Sequence, residues 1–163
     1  MTATKVTSGL INFSTGKVLQ NVYAESSAAS TGTTAVVNDD TIPQKTEGNE
    51  VITLAITPVS ATSRLIITGV LNLYNTAATY RIWALFKDDG ADAIWADVNY
   101  DAVGVPKDHL VHFSEISGST SARTYKVRAG ALSGTMTING VSGSRNLGAI
   151  PKTNLQITEI EVG

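Results

Sequence analysis

Two histidines three residues apart, His109 and His112 in HLVHFSE, are the chain's only imidazoles and the first place to look for a metal or proton-transfer centre. On a helix this spacing puts both rings on one face; in a strand it points them to opposite faces. Leu110, Val111 and Phe113 around them favour the strand, so the pair cannot share a metal and reads as structural or surface. The acidic run Asp88, Asp89, Asp92 and Asp97 suggests calcium, but the EF-hand order and its closing glutamate are missing. Turn formation accounts for most of that run and leaves a surface calcium site at the tip open. GVSGS at 140–144 has Ser144 where a nucleophile elbow needs its second glycine, and it lacks the strand–turn–helix setting. Asp97 and Asp101 are a carboxylate pair of the kind any chain this size contains, and nothing singles them out for sugar hydrolysis. Tyr80, Trp83, Trp95 and Tyr100 have the ring faces to stack on a sugar. Trp83 and Trp95 read as sandwich filler, and Tyr100, placed in a predicted loop, as a contact residue. No enzyme chemistry, cofactor or metal site emerges from these residues.

The elements that would position them are strands throughout. Residues 63–74, SRLIITGVLNLY, form a long strand with Leu65, Ile67, Gly69, Leu71 and Leu73 on one face. The other face carries Ile66, Thr68, Val70, Asn72 and Tyr74 and is not properly polar, so both faces should be covered. Further strands are predicted at 17–25, 31–37, 50–57, 79–87, 93–98, 109–116, 123–131, 135–138 and 154–162. Turn chemistry at 38–49 separates two of them, Asp88-Asp89-Gly90 and Asn139-Gly140 are hairpin signals, and 99–108 and 141–151 are loops. In the last strand Leu155 and Ile157 share a face while Ile160 and Val162 fall on the other, which predicts a β-bulge at Thr158-Glu159. Some eight to ten short strands at about 8–12-residue spacing, with no helical period, indicate an all-β antiparallel β-sandwich or jelly roll. The division is a short N-terminal arm, 1–16, and a jelly-roll domain, 17–163.

Composition narrows the partners. Of 163 residues only 16% are charged, well under the usual quarter or so, with Thr, Ser, Asn and Gly in their place. Such a surface suits packing among copies or partners, or contact with sugars, more than long-range steering. A net charge of −2 argues against nucleic acid, which needs a basic stripe. Cysteine is absent, which excludes disulfides and thiolate metal sites. The opening MTATKVTSGLINF has no apolar core long enough for a signal peptide, and no segment reads as membrane-inserted. The sequon Asn12-Phe13-Ser14 reads as chance.

Three stretches carry a resemblance: GKVLQ at 16–20 before a Ser/Thr-rich segment, ITP at 56–58 with SRLII at 63–67, and LQITEI at 155–160. Together they resemble a β-sandwich domain of tailed-bacteriophage virion proteins, of tail-fibre type and similar to trimeric tumour-necrosis-factor-like jelly rolls. The likeness covers nearly all of 16–162 and marks structural positions, with no catalytic residues to carry over. It implies a non-enzymatic virion surface protein, a homotrimeric tail fibre or spike acting in host adhesion, whose partners are its own copies, other capsid or tail proteins and a host-surface glycan. Ile66, Val70 and Tyr74, with help from Leu85, would line the three-fold axis. Val6, Leu10, Ile11 and Phe13 would anchor the arm for docking or assembly, and Asp89, Asp92, Tyr100 and Arg145 would present receptor-binding loops. Members often sit at the end of long fibre chains, whereas a short arm precedes the first strand here. That departure keeps a capsid decoration (cement) protein as the alternative, ahead of a free carbohydrate-binding or hydrolytic module.

Overall fold

Strict alternation of Leu65, Ile67, Leu71 and Leu73 with Ile66, Thr68, Val70 and Asn72 makes β4 (Arg64–Asn75) the central strand of the molecule. The first set is fully buried and the second half-exposed. A computed structural model describes residues 16–162. Before β4 come β1 (Val18–Ser26), β2 (Ser30–Gly32) and β3 (Asn49–Ile56). After it come β5 (Thr79–Lys87), β6 (Trp95–Asp101), β7 (Lys107–Ile116) and β8 (Arg123–Ala131). The short β9 (Met136–Ile138), β10 (Gly140–Val141) and β11 (Ser144–Arg145) precede a 3-10 turn at Leu147–Ala149 and the final β12 (Thr153–Ile160).

The long strands form two antiparallel layers. One runs β1-β12-β4-β7, with the short β9 and β2 continuing beside the far end of β4; the other runs β3-β8-β5-β6. With the eight long strands counted in chain order, the layers read 1-8-3-6 and 2-7-4-5. That is the connectivity of a jelly roll, in which each sheet interleaves strands from both halves of the chain. Between the layers, Leu65, Ile67, Leu155 and Ile157 of the first sheet meet Trp83, Leu85, Tyr125 and Val127 of the second in one buried cluster.

The outer faces of the two sheets differ. Residues 33–48 leave the first sheet and cross the outside of the second as a strap, whose Val36 is buried against that sheet. Backbone bonds pin the strap: Ala93 N to Pro43 O at 2.9 Å, Lys45 N to Ala91 O at 2.8 Å and Gly48 N to Ala35 O at 2.9 Å. Arg128 also donates to Glu47 O at 2.8 Å and to Gly48 O at 2.7 Å. A Cβ at Gly130 would sit 2.6 Å from Val36 N and 2.7 Å from Thr34 O, so this close approach needs glycine. The strand predicted at 31–37 is therefore only the three residues of β2 followed by the strap. Its backbone bonds go to distant segments, which alternation within the segment cannot reveal.

Three further expectations are corrected. β12 pairs with β4 without interruption from Asn154 to Ile160, so no bulge occurs at Thr158-Glu159. The irregularity falls on the partner strand, between Val18 and Gln20 of β1, and the phase break is met by burying Glu159. Asn139-Gly140 is not a hairpin: the chain reverses at Ser142 and Gly143, both at positive φ, between β10 and β11. Asn139 is buried instead, its amide donating to Ser26 O at 2.9 Å. Tyr100 lies within β6, because that strand continues to Asp101 and leaves only 102–106 as the loop.

Candidate functional site

The outward face of the first sheet carries a band without formal charge. Its rows run Asn21–Thr158–Ile66–Ser114, Tyr23–Gln156–Thr68–His112, and Asn154–Val70–Leu110, the last reaching Glu25, ion-paired with Lys152, on the edge strand β1. Arg64 lies beyond one end of this band and Asp108 beyond the other. Leu110 is 65% exposed, Tyr23 52% and Ile116 45%. A shallow depression of about 350 Å³ opens among Thr68, Val70, Leu110, His112 and Asn154. Leu110, Tyr23 and Ile116 are left exposed here, whereas the outer face of the second sheet is strapped and Tyr74, farther along the same face of β4, is covered beside the β10–β11 turn. The surface is flat, weakly polar and rich in Thr, Asn and Gln, so a partner could be held by apolar contact without desolvating ions.

One end of the sandwich is closed by a carboxylate cage. Glu159, on the inward face of β12, is fully buried. It accepts from Val59 N at 2.9 Å, Ser60 N at 3.1 Å, Ser63 Oγ at 2.5 Å and Gln20 Nε2 at 2.6 Å. Gln20 also donates to Thr57 O at 2.7 Å. Burial pushes the Glu159 carboxyl up, but the hydrogen bonds outweigh it and hold it below the usual carboxylate range. GKVLQ, ITP, SRLII and LQITEI, scattered in the sequence, each contribute a residue to this one cage. The sequence signal for it is the phase break in β12 that predicts a bulge.

A second buried polar cluster closes the opposite end. Asp101, at the end of β6, receives Lys107 Nζ at 2.5 Å and lies 3.3 Å from Arg81 Nη1 and 3.4 Å from His109 Nε2. Arg81 also donates to Leu73 O and to Val105 O, each at 3.0 Å. The His109 ring lies 4.5 Å from Trp83, whose indole donates to Leu110 O across to the other sheet. Sequence reading passed over Arg81 and Lys107. The available signal was an arginine at an inward position of an otherwise apolar strand.

The expected residues are dispersed. Ile66 and Val70 lie on the open face. Tyr74 is buried, its hydroxyl 2.9 Å from Ser142 Oγ beside the β10–β11 turn. Leu85 is fully buried in the core and offers nothing to an outer surface. The side of β5 bearing Arg81, Trp83 and Leu85 faces inward, with both Nη groups of Arg81 donating to backbone carbonyls. Asp89 and Asp92 lie at the end where β1 begins, paired with Lys45 and Gln44 at 2.9 and 2.8 Å. Tyr100, edge-on to Tyr80 at 5.2 Å, lies toward the other end. The exposed Arg145 lies beyond Asn139, which pairs back to Asn72 of β4 at that same end. The four residues therefore do not converge on one surface. Val6, Leu10, Ile11 and Phe13 lie outside the described residues. The two histidines do point to opposite faces, and no group of three or more His, Asp or Glu able to hold a metal occurs among the described residues.

No family model matches the chain, and no curated protein matches it. Among solved structures, dimeric latent PorU from Porphyromonas gingivalis aligns over 91% of this chain and 14% of its own, at 8% identity and a TM-score of 0.44. Infectious bursal disease virus, Gx strain, aligns over 91% and 41%, at 10% identity and a TM-score of 0.40. The enzymatically active domain of bacteriophage CBA120 tailspike protein 4 aligns over 77% and 19%, at 12% identity and a TM-score of 0.28. The chain thus spans less than half the length of each. At these identities and TM-scores, none of the likenesses bears on what the chain does.

Proposed function

We propose that this chain is a non-enzymatic bacteriophage virion surface protein, a homotrimeric jelly roll of tail-fibre or spike type that serves host adhesion. The observation that carries the reading is the uncharged open face of the first sheet, centred on Ile66, Val70, Thr68 and Leu110, in a jelly roll whose other sheet is already covered by its own strap. The motifs behind the resemblance support it, since GKVLQ, SRLII and LQITEI fall on β1, β4 and β12, adjacent strands of that same sheet, while ITP ends β3 of the other. Three copies packing these faces toward a common axis would bury aliphatics worth about 1.5–3 kcal/mol each. The loops at the β6–β7 end would then be available for display.

Sedimentation velocity at micromolar concentration is expected to give one species at three times the 17.1 kDa chain mass. A monomer at every concentration would sink this reading. The adhesion half is tested separately by binding of the purified protein to host cells. Binding to empty capsids with no binding to cells would make the surface role decoration of the head.

A further inference from the structure

The cluster at the β6–β7 end has more charge than it can balance if it gains a proton. Arg81, Asp101 and His109 have side chains at most 1% exposed, while Lys107 reaches the surface. With a neutral imidazole, the two cations Arg81 and Lys107 face the single carboxylate of Asp101. His109 Nε2, Asp101 Oδ2 and Arg81 Nε have no hydrogen-bond partner among the described residues. The groups facing the ring are Arg81 from β5, Asp101 from β6, and Lys107 and Asp108 from β7; β4 contributes only the Leu73 carbonyl, through Arg81. Burial first, and then Arg81 and Lys107, hold the imidazole below its ordinary value of 6.5 against the pull of Asp101.

What the cluster holds is the loop 102–106, whose residues are all exposed. Two bonds fix it to the body: Gly104 N to Asn75 O at 3.2 Å, and Arg81 Nη2 to Val105 O at 3.0 Å. Gly104 sits at positive φ with open space where a Cβ would stand. We propose that Arg81, Asp101 and His109 form an acid-sensitive latch, which fixes the 102–106 loop while His109 is neutral and frees it when His109 is protonated.

A protonated His109 would add a third cation around one carboxylate, whose Oδ1 already accepts from Lys107 and whose Oδ2 lies 3.3 Å from Arg81 Nη1. Moving Arg81 away from the imidazolium relieves that excess and breaks its bond to Val105 O. The sign follows from linkage. A base with a depressed folded pKa binds fewer protons folded than open, so the closed form is favoured above 6.5 and loses ground as pH falls below it. Each unit of depression corresponds to a tenfold change in the closed-to-open ratio.

Amide hydrogen exchange on the full chain tests this, at pH 7.5 and 5.0 with correction for intrinsic rates. Protection of the Gly104 amide, which donates to Asn75 O, and of Lys107 is expected to drop severalfold or more at the lower pH, while Ser117 and Gly118 at the other end hold. His109→Gln, which cannot take the proton, should abolish that difference. Equal protection at both pH values, or the same loss in His109→Gln, would overturn the latch. If His109→Gln does not fold, the wild-type imidazole titration by NMR decides. His109 should titrate below 6.5 with the loop amides shifting at the same midpoint; titration at or above 6.5, or loop amides that do not follow, would overturn it.

Discussion

Glu159 shows how a residue can look like an error in a pattern and be the point on which the pattern depends. An acid on the inward face of a strand would normally be excluded, because burying an unpaired charge costs several kcal/mol. Here Gln20, Ser63 and the amides of Val59 and Ser60 replace water around the carboxylate, and they tie β1, β12 and the β3–β4 connection together. Glu159→Gln would turn an amide NH2 toward donors and leave part of the cage unsatisfied. A loss of about 1–3 kcal/mol is expected in urea denaturation at pH 7. The folded carboxyl is held below its ordinary value of 4.5, so its contribution is present above that pH and is lost as pH falls through the lower folded value. The wild type should therefore lose melting temperature on acidification below about pH 4.5, and Glu159→Gln should lose less. Equal stability of the two proteins at pH 7 would remove Glu159 from this role.

At the scale of elements, the strap over the second sheet explains why β5 is buried on both faces. Ile82, Ala84 and Phe86 are covered from outside, while Trp83 and Leu85 fill the core. Gly130→Ala would place a methyl against the backbone at Val36 and Thr34, where no side-chain rotation gives relief. Displacing the strap is expected to cost about 1–3 kcal/mol in denaturation and to expose apolar surface that binds the dye ANS. Unchanged stability with no dye binding would show the strap to be loosely held. The long strands were legible in the sequence because each buried face follows a period of two. The strap was not, because its bonds run to distant segments. Leu85 was misplaced for a related reason. Both faces of β5 are apolar, so alternation could not choose between them, and the buried Asp101 that satisfies Arg81 is twenty residues away in sequence. Ile66 and Val70 were legible on the second face of β4, whereas Leu110 and Ile116 of β7 join that face only through strand pairing.

For the whole molecule the question is what lies against the open sheet, and Val70→Asp puts it to a test that separates folding from assembly. Val70 sits in the last row of the uncharged band, between Asn154 and Leu110, half-exposed in the single chain. In a monomer the new carboxylate would reach water, and a change at such a position typically costs within about 0.5 kcal/mol. In the proposed trimer the same carboxylate would be buried in every copy, and the nearer cation, Lys152, is already paired with Glu25, so desolvating it unpaired would cost several kcal/mol per copy. The variant should keep the wild-type circular dichroism spectrum and sediment as a monomer. Leu110→Asp, on the neighbouring strand of the same face, should do the same. Val103→Asp, in the exposed 102–106 loop, should leave the trimer intact. Should Val70→Asp and Leu110→Asp both sediment as trimers, the copies must meet through another surface, and the open face would have to be assigned to a different partner.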